Sequence, residues 1–281
     1  MSTQLTDTAY VITDAPEPGR TPTLRAVIAL LARDLVVLRR QPGNFIARTI
    51  VQPLMLMFAL GYVAPIISVG PGAAARATQA ATVLLAGMLA MVVLFQGLFS
   101  VAMPLMQEFG VTHEIDDRVL SPIPVAAVAI AKVLAGAIQG LLAVVVAFPL
   151  ARLVTAAPPQ LHINWPVLLT LAPLAAVMCS ALGLYLSTAL DPRSVTAMMA
   201  VLLTPLLYLG CTLYPWSALG PIRWVQLLSL ANPVTYVSEG FRAAVTTSDH
   251  LNLAAIYLAL ILGTTVLLYQ GIRHFRRRVT S

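Results

Sequence analysis

The chain has 281 residues, 59% of them hydrophobic and only 10% charged, well below the roughly 25% charged of a soluble domain. Seventeen Lys and Arg against eleven Asp and Glu leave a net charge of +6. Composition therefore excludes a soluble globular domain, and several charge-free windows of about 20 residues place the chain among polytopic helical membrane proteins.

Residues Met1 to Pro22 carry Thr, Asp, Pro and Gly without an apolar period and read as a disordered tail. They do not pattern as a signal peptide, because no basic start precedes an apolar run. From Thr23 to Arg40 the pattern changes. At about 100° per residue, Arg25, Arg33, Arg39 and Arg40 fall within a sector of roughly 120°. Leu24, Val27, Ile28, Leu31, Leu35 and Leu38 supply the apolar surface. The expectation is an amphipathic helix in the cytoplasmic interface, since centring four arginines and Asp34 in hydrocarbon costs several kcal/mol. Gln41-Pro42-Gly43-Asn44 ends it.

Six apolar spans are predicted, at about Arg48–Ser68, Ala80–Met103, Val125–Leu150, Pro166–Leu190, Val195–Tyr214 and Leu251–Gly271. Lys132 lies two turns inside the third, near enough to its end to snorkel. With the N-terminus inside, thirteen of the seventeen basic residues fall on the cytoplasmic side, which sets both termini there. The basic residues flank membrane segments, so they read as topology signals and headgroup contacts, not as a nucleic-acid surface. The organisation expected is a cytosolic tail at 1–22, a six-span domain at 23–271 and a basic cytosolic tail at 272–281. Cys179 and Cys211 fall in predicted spans and read as core packing.

Two segments stand out. The stretch from Pro104 to Lys132 is the most polar interruption of the apolar pattern, with Glu108, Glu114, Asp116 and Asp117 against Arg118. An isolated membrane protein has no need of such a loop; one driven by a soluble partner does. The second, Pro215 to His250, is too long for a turn and too apolar for a solvated loop. Two short helices broken at Asn232-Pro233 fit it, because proline cannot continue a helix. They either dip into the membrane and return, or lie on its outer interface with Trp216, Trp224 and Tyr236 at headgroup depth. Glu239 and Arg242 stand one turn apart and are placed to pair.

Motifs for catalysis are missing. The single lysine, Lys132, follows Ala131 and not glycine, so no phosphate-binding G-x-x-x-x-G-K loop exists and this chain is not itself an NTPase. His113, His162, His250 and His274 are scattered among loops and tail, without metal-ligand spacing. No Asp or Glu falls in the middle of a span, which weighs against a carrier driven by a proton or sodium gradient.

Three stretches resemble the membrane subunits of type-two ATP-binding-cassette exporters, which move drugs, polyketides, lipids and polysaccharides. His113 to Pro124 (HEIDDRVLSPIP) is similar to the cytosolic segment before the family's third span, with His113-Glu114-Ile115-Asp116 where G-T-[LI]-E is usual. Leu203 to Pro215, with Trp216 and Pro221, resembles the end of the fifth span and its external turn. Ala231-Asn232-Pro233-Val234-Thr235-Tyr236, followed by Glu239 and Arg242, resembles the N-P-[LVM]-T-Y…[LF]-R signature.

The resemblance implies an all-α integral membrane permease of six transmembrane helices, with an N-terminal interfacial helix and a re-entrant helix pair between spans five and six. It implies a multi-pass protein of the cell membrane, working among membrane lipids without nucleic acid, paired with cytosolic ATP-binding-cassette ATPase subunits and with a second copy of itself or a sister permease. ATP and Mg would sit on the partner ATPase, leaving no cofactor in this chain. Glu114, Asp116, Asp117, Arg118 and Pro122 would form the ATPase-coupling loop. Trp216, Asn232, Pro233, Tyr236, Glu239 and Arg242 would belong to the external re-entrant segment. A bundle rich in Leu, Val, Ala and Met suits a hydrophobic or amphiphilic substrate (drug, polyketide, lipid or glycolipid). A secondary carrier and a non-transporting membrane scaffold are the alternatives.

Overall fold

The computed structural model describes residues 51–67, 72–108, 125–155, 159–190 and 195–280, with 28–29 and 31–32 as pieces of helix. All regular structure among them is helical, as expected where hydrocarbon forces each backbone N–H and C=O to find a partner within its own segment. In chain order the helices are α1 (Val51–Ile67), α2 (Ala73–Gln107), α3 (Val125–Leu153), α4 (Trp165–Ala189), α5 (Val195–Tyr208), α6 (Arg223–Leu230), α7 (Pro233–Val245) and α8 (Leu253–Thr280). A turn of 3-10 helix, Trp216–Leu219, lies between α5 and α6. Of the expected N-terminal interfacial helix only 28–29 and 31–32 are described, and the coupling-loop residues Glu114, Asp116, Asp117, Arg118 and Pro122 lie outside the described residues.

Four of these, α2, α3, α4 and α8, are long and apolar enough to cross a membrane. Helix α2 is the axis of the bundle and packs on α3, α4 and α7, while α8 lies along α4. Small residues allow the α2–α4 approach. A Cβ on Gly183 would stand 2.6 Å from the carbonyl oxygen of Leu98, and one on Gly97 would stand 2.9 Å from the Cβ of Cys179. Membrane helices pack this way because lipid tails, being as apolar as leucine, provide no hydrophobic drive, so close contact does the holding.

The first and fifth expected spans differ in extent from the other four. Helix α1 contains a π-helical turn, Ala59–Val63, and its described length is about 26 Å at 1.5 Å per residue. Helix α5 has 14 residues, or about 21 Å, and ends at Tyr208, short of the predicted Tyr214. Gly210 and Cys211 stop it; Cys211 adopts a left-handed φ of 52°, which an α-helix cannot continue through.

Helix α8 runs on through the arginines expected to form a tail. Phe275 is buried with Val101, Leu105, Val133 and Leu184, and Arg278 donates to the carbonyls of Ser187 (3.3 Å) and Leu190. The C-terminus of α4, whose last carbonyls have no helical partner, is thereby capped by a cation favoured at that end of the dipole.

At the same end of the bundle, Lys132 does not snorkel alone. Its Nζ lies 2.7 Å from Glu108 Oε1, with both side chains 11% exposed. Glu108 caps α2 and so belongs to the helix end, where sequence placed it in the loop. The pair fastens the last turn of α2 to the second turn of α3 and closes the base of segment 109–124.

Candidate functional site

Helix α7 is too short to span a membrane and is almost wholly buried, against α2, α4 and α8. Its partner α6 is the exposed member, with Trp224 70% and Leu227 69% exposed. Asn232-Pro233 separates the two as the sequence suggests. The Asn232 Oδ1 accepts from the Val234 N–H at 3.0 Å, and Pro233 occupies the first helical turn, where its missing N–H has no intrahelical role.

One face of α7 is polar: Asn232, Thr235, Ser238, Glu239 and Arg242 recur at three- and four-residue spacing. This face meets the exit of α5, whose final carbonyls lack helical partners. Asn232 Nδ2 donates to Leu206 at 2.8 Å. The Thr235 hydroxyl lies 2.6 Å from the carbonyl of Ser229 and 3.2 Å from that of Leu209. Ser238 Oγ donates to Gly210 at 2.6 Å. Arg242 Nη2 reaches Cys211 at 3.2 Å and Tyr214 at 3.4 Å. The turn satisfies two more carbonyls itself, through Thr212 Oγ1 to Leu207 at 2.9 Å and Tyr214 OH to Tyr208 at 2.5 Å. An irregular backbone can be buried only when each such group is matched, and α7 supplies most of the match.

Glu239 and Arg242 form the predicted ion pair, and neither residue is exposed to solvent. The carboxylate also accepts from the Trp216 N–H at 2.9 Å and the Leu251 N–H at 3.0 Å. Through it the 3-10 turn, α7 and the approach to α8 meet at one point. Burial pushes the Arg242 guanidinium below its ordinary pKa, and the Glu239 charge pulls it back up. Arg242 Nε is buried with no hydrogen-bond partner among the described residues.

The remaining expected members of this segment bind its pieces together. Trp216 Nε1 donates to Gln226 at 3.2 Å, tying the 3-10 turn to α6. Tyr236 OH donates to Leu230 at 2.9 Å, closing α7 against the end of α6. On the far side, Gly87 of α2 receives the turn. A Cβ there would lie 1.5 Å from the Thr212 carbonyl oxygen, so only glycine admits the loop.

Ser238 and Gly87 are not singled out by the sequence, whereas Thr235 enters it only within the N-P-V-T-Y stretch and Cys211 only as core packing. Ser238 and Thr235 are detectable as members of a polar stripe on an otherwise apolar helix. Gly87 is not, because nothing local distinguishes a glycine that faces a backbone from one that faces a side chain. The arrangement contains no activated nucleophile and no acid–base pair open to substrate. Its chemistry is that of a lock: a charged node, bonded to several backbone groups, that fixes an irregular segment in an apolar surround. No curated protein matches this chain. One family model, described as ABC-2 type transporter, matches residues 25–246, which ends one residue beyond α7.

Proposed function

The chain belongs to the ABC-2 type transporter family, and we propose that it is the permease subunit of an ATP-driven exporter that moves a hydrophobic or amphiphilic substrate out of the cytoplasm. In this reading α1 and α5 join the four long helices as spans one and five, with both termini cytoplasmic. Two such chains, or this one and a sister permease, pair with two ATPase subunits, and hydrolysis takes place on those partners.

The observation that carries the reading is the cluster of Glu114, Asp116 and Asp117 in a chain whose cytoplasmic face is otherwise basic, on a segment whose two ends are fastened by Glu108 and Lys132. A loop that seats in a cleft of a moving partner needs a firm base, or its motion is lost in the linker. Acidic side chains suit a basic rim, and Pro122 with Pro124 restricts the backbone at the loop's exit. At the other end of the bundle, the α6–α7 assembly roofs the path. An exporter needs an outer closure, and a segment locked by Glu239 and Arg242 provides one without a full span.

The test is reconstitution of the chain with the ATPase it copurifies with, in proteoliposomes. Uptake of an amphiphile should require ATP and survive collapse of the proton gradient, and the amphiphile should stimulate hydrolysis. Transport that stops with the gradient while ATP is intact would identify a secondary carrier. Hydrolysis indifferent to every amphiphile, with no transport, would identify a scaffold.

A further inference from the structure

The outward face of α8 changes character along its length. At about 100° per residue, Leu258, Ile261, Leu262 and Val266 share a sector with Tyr269 and the arginines that follow, on the side opposite the buried Ile256, Leu260 and Phe275. The four aliphatic residues are 51–60% exposed. At the foot of this stripe is a cavity of about 540 Å³ lined by Tyr269, Ile272, Arg273, Arg276 and Arg277. Arg278 points the other way, onto the end of α4.

From this geometry we infer that the cavity binds the phosphate of an anionic phospholipid, whose acyl chains lie along the aliphatic face of α8. Arginine presents a planar fork of N–H donors that matches phosphate oxygens two at a time. Three of them at i, i+3 and i+4 line one cavity from one helix face, and α8 itself brings no acidic residue to it. Arg276 and Arg277 make further interactions, which five donors per guanidinium allow them to combine with a shared phosphate. Tyr269 stands one turn into the apolar zone, where an amphipathic ring is favoured. Leu258 to Tyr269 covers about 16 Å, close to half of the roughly 30 Å hydrocarbon layer. The stripe is thus as long as one leaflet is deep, with its charge at the headgroup end. Among the described residues the lining carries three positive charges and no negative one, which favours an anionic headgroup over a zwitterionic one.

The full-length chain in nanodiscs of phosphatidylcholine with graded phosphatidylglycerol, released for native mass spectrometry, tests this directly. Wild type should retain phosphatidylglycerol in a saturating manner, near one per chain, in preference to phosphatidylcholine. The Arg273→Gln/Arg276→Gln variant should lose retention by at least about tenfold, the loss one charge-assisted hydrogen bond carries, and Arg273→Lys/Arg276→Lys should keep part of it. Retention that rises in proportion to lipid without saturating, measured on wild type alone, would overturn the proposal whether or not the variants fold. Binding of millimolar inorganic phosphate without lipid retention would overturn it in favour of a soluble anion. A dimer that separates in the same variants, with no lipid held, would assign the face to a second copy and overturn it as well.

Discussion

Arg242 and Glu239, one turn apart on α7, form an ion pair with no solvent exposure, and between them they bond to four backbone groups outside α7. Removing one partner of a buried pair leaves an uncompensated charge, at about 3–5 kcal/mol, whereas removing both leaves no buried charge, only unpaired backbone groups and a cavity. Arg242→Ala should therefore lower thermal stability and transport more than Glu239→Ala with Arg242→Ala together. A double-mutant cycle on the melting temperature checks this; a double variant as impaired as the sum of the singles would show that the pair does not interact.

The amount of this site legible in the sequence follows from what each residue needs. Asn232-Pro233 announces a helix start locally, and Glu239 with Arg242 announces a pair by spacing, so both emerge from the chain alone. The depth of α7 does not. An amphipathic 13-residue helix reads the same whether its polar face meets water or the carbonyls of another segment, and here Thr235, Ser238 and Arg242 face the end of α5. The fifth helix ends earlier than its hydropathy suggests for the same reason. Leu209 to Tyr214 is apolar enough for a helix, yet its carbonyls bond to α7 and its own turn. Hydropathy reports where a segment is buried but not with which partner.

Gly87 should be irreplaceable. A Cβ at 1.5 Å from the Thr212 carbonyl forces the α5–α6 turn off α2, beyond the 1–3 kcal/mol usual for overpacking. Gly220→Ala is the matched control, since its Cβ would meet Ser217 at 3.4 Å in an ordinary contact. Fluorescence-detected size-exclusion after heating should show Gly87→Ala lost several degrees before wild type, and Gly220→Ala within a degree or two of it. Equal melting of the two variants would contradict the inserted position of the turn.

Ser238→Ala should loosen the same turn from its α7 side, without overlap. It leaves the buried Gly210 carbonyl without the hydroxyl at 2.6 Å, at about 1–3 kcal/mol. Ser238→Thr keeps the hydroxyl and should recover most of the loss, whereas Ser238→Val should not. Thermal unfolding of the three variants side by side separates the hydrogen bond from side-chain volume.

Cysteine labelling tests the topology. Cys179 and Cys211 are both buried, so the native chain should give little background with an impermeant maleimide. Single cysteines placed near Arg76, Pro159 and Ser248 should react from outside. Those near Asp117, Arg193 and Arg277 should react only after permeabilisation. External reactivity at 193 would sink the six-span reading and, with it, the cytosolic assignment of the acidic loop.

The acidic loop itself is tested from both its tip and its base. Replacing Glu114, Asp116 and Asp117 by Ala removes three charges from a segment whose ends remain fastened by Glu108 and Lys132. Each partly exposed charged contact is worth about 1 kcal/mol or less, so their joint loss should weaken ATPase capture by about ten- to a hundredfold, with membrane insertion unchanged. Lys132→Met acts at the base instead. It removes the 2.7 Å contact to Glu108 while leaving every acidic side chain of the tip in place. If the loop transmits force, this variant should still bind the ATPase but hydrolyse ATP with less transport per turnover. Binding and transport therefore separate: the tip governs capture and the base governs coupling. Pull-down and transport-to-hydrolysis ratios measured on both variants decide it. A triple variant that copurifies and exports at the wild-type rate would show that the loop does not seat on the ATPase. A Lys132→Met variant with unchanged coupling would show that the Glu108–Lys132 fastening serves only to hold α2 and α3 together.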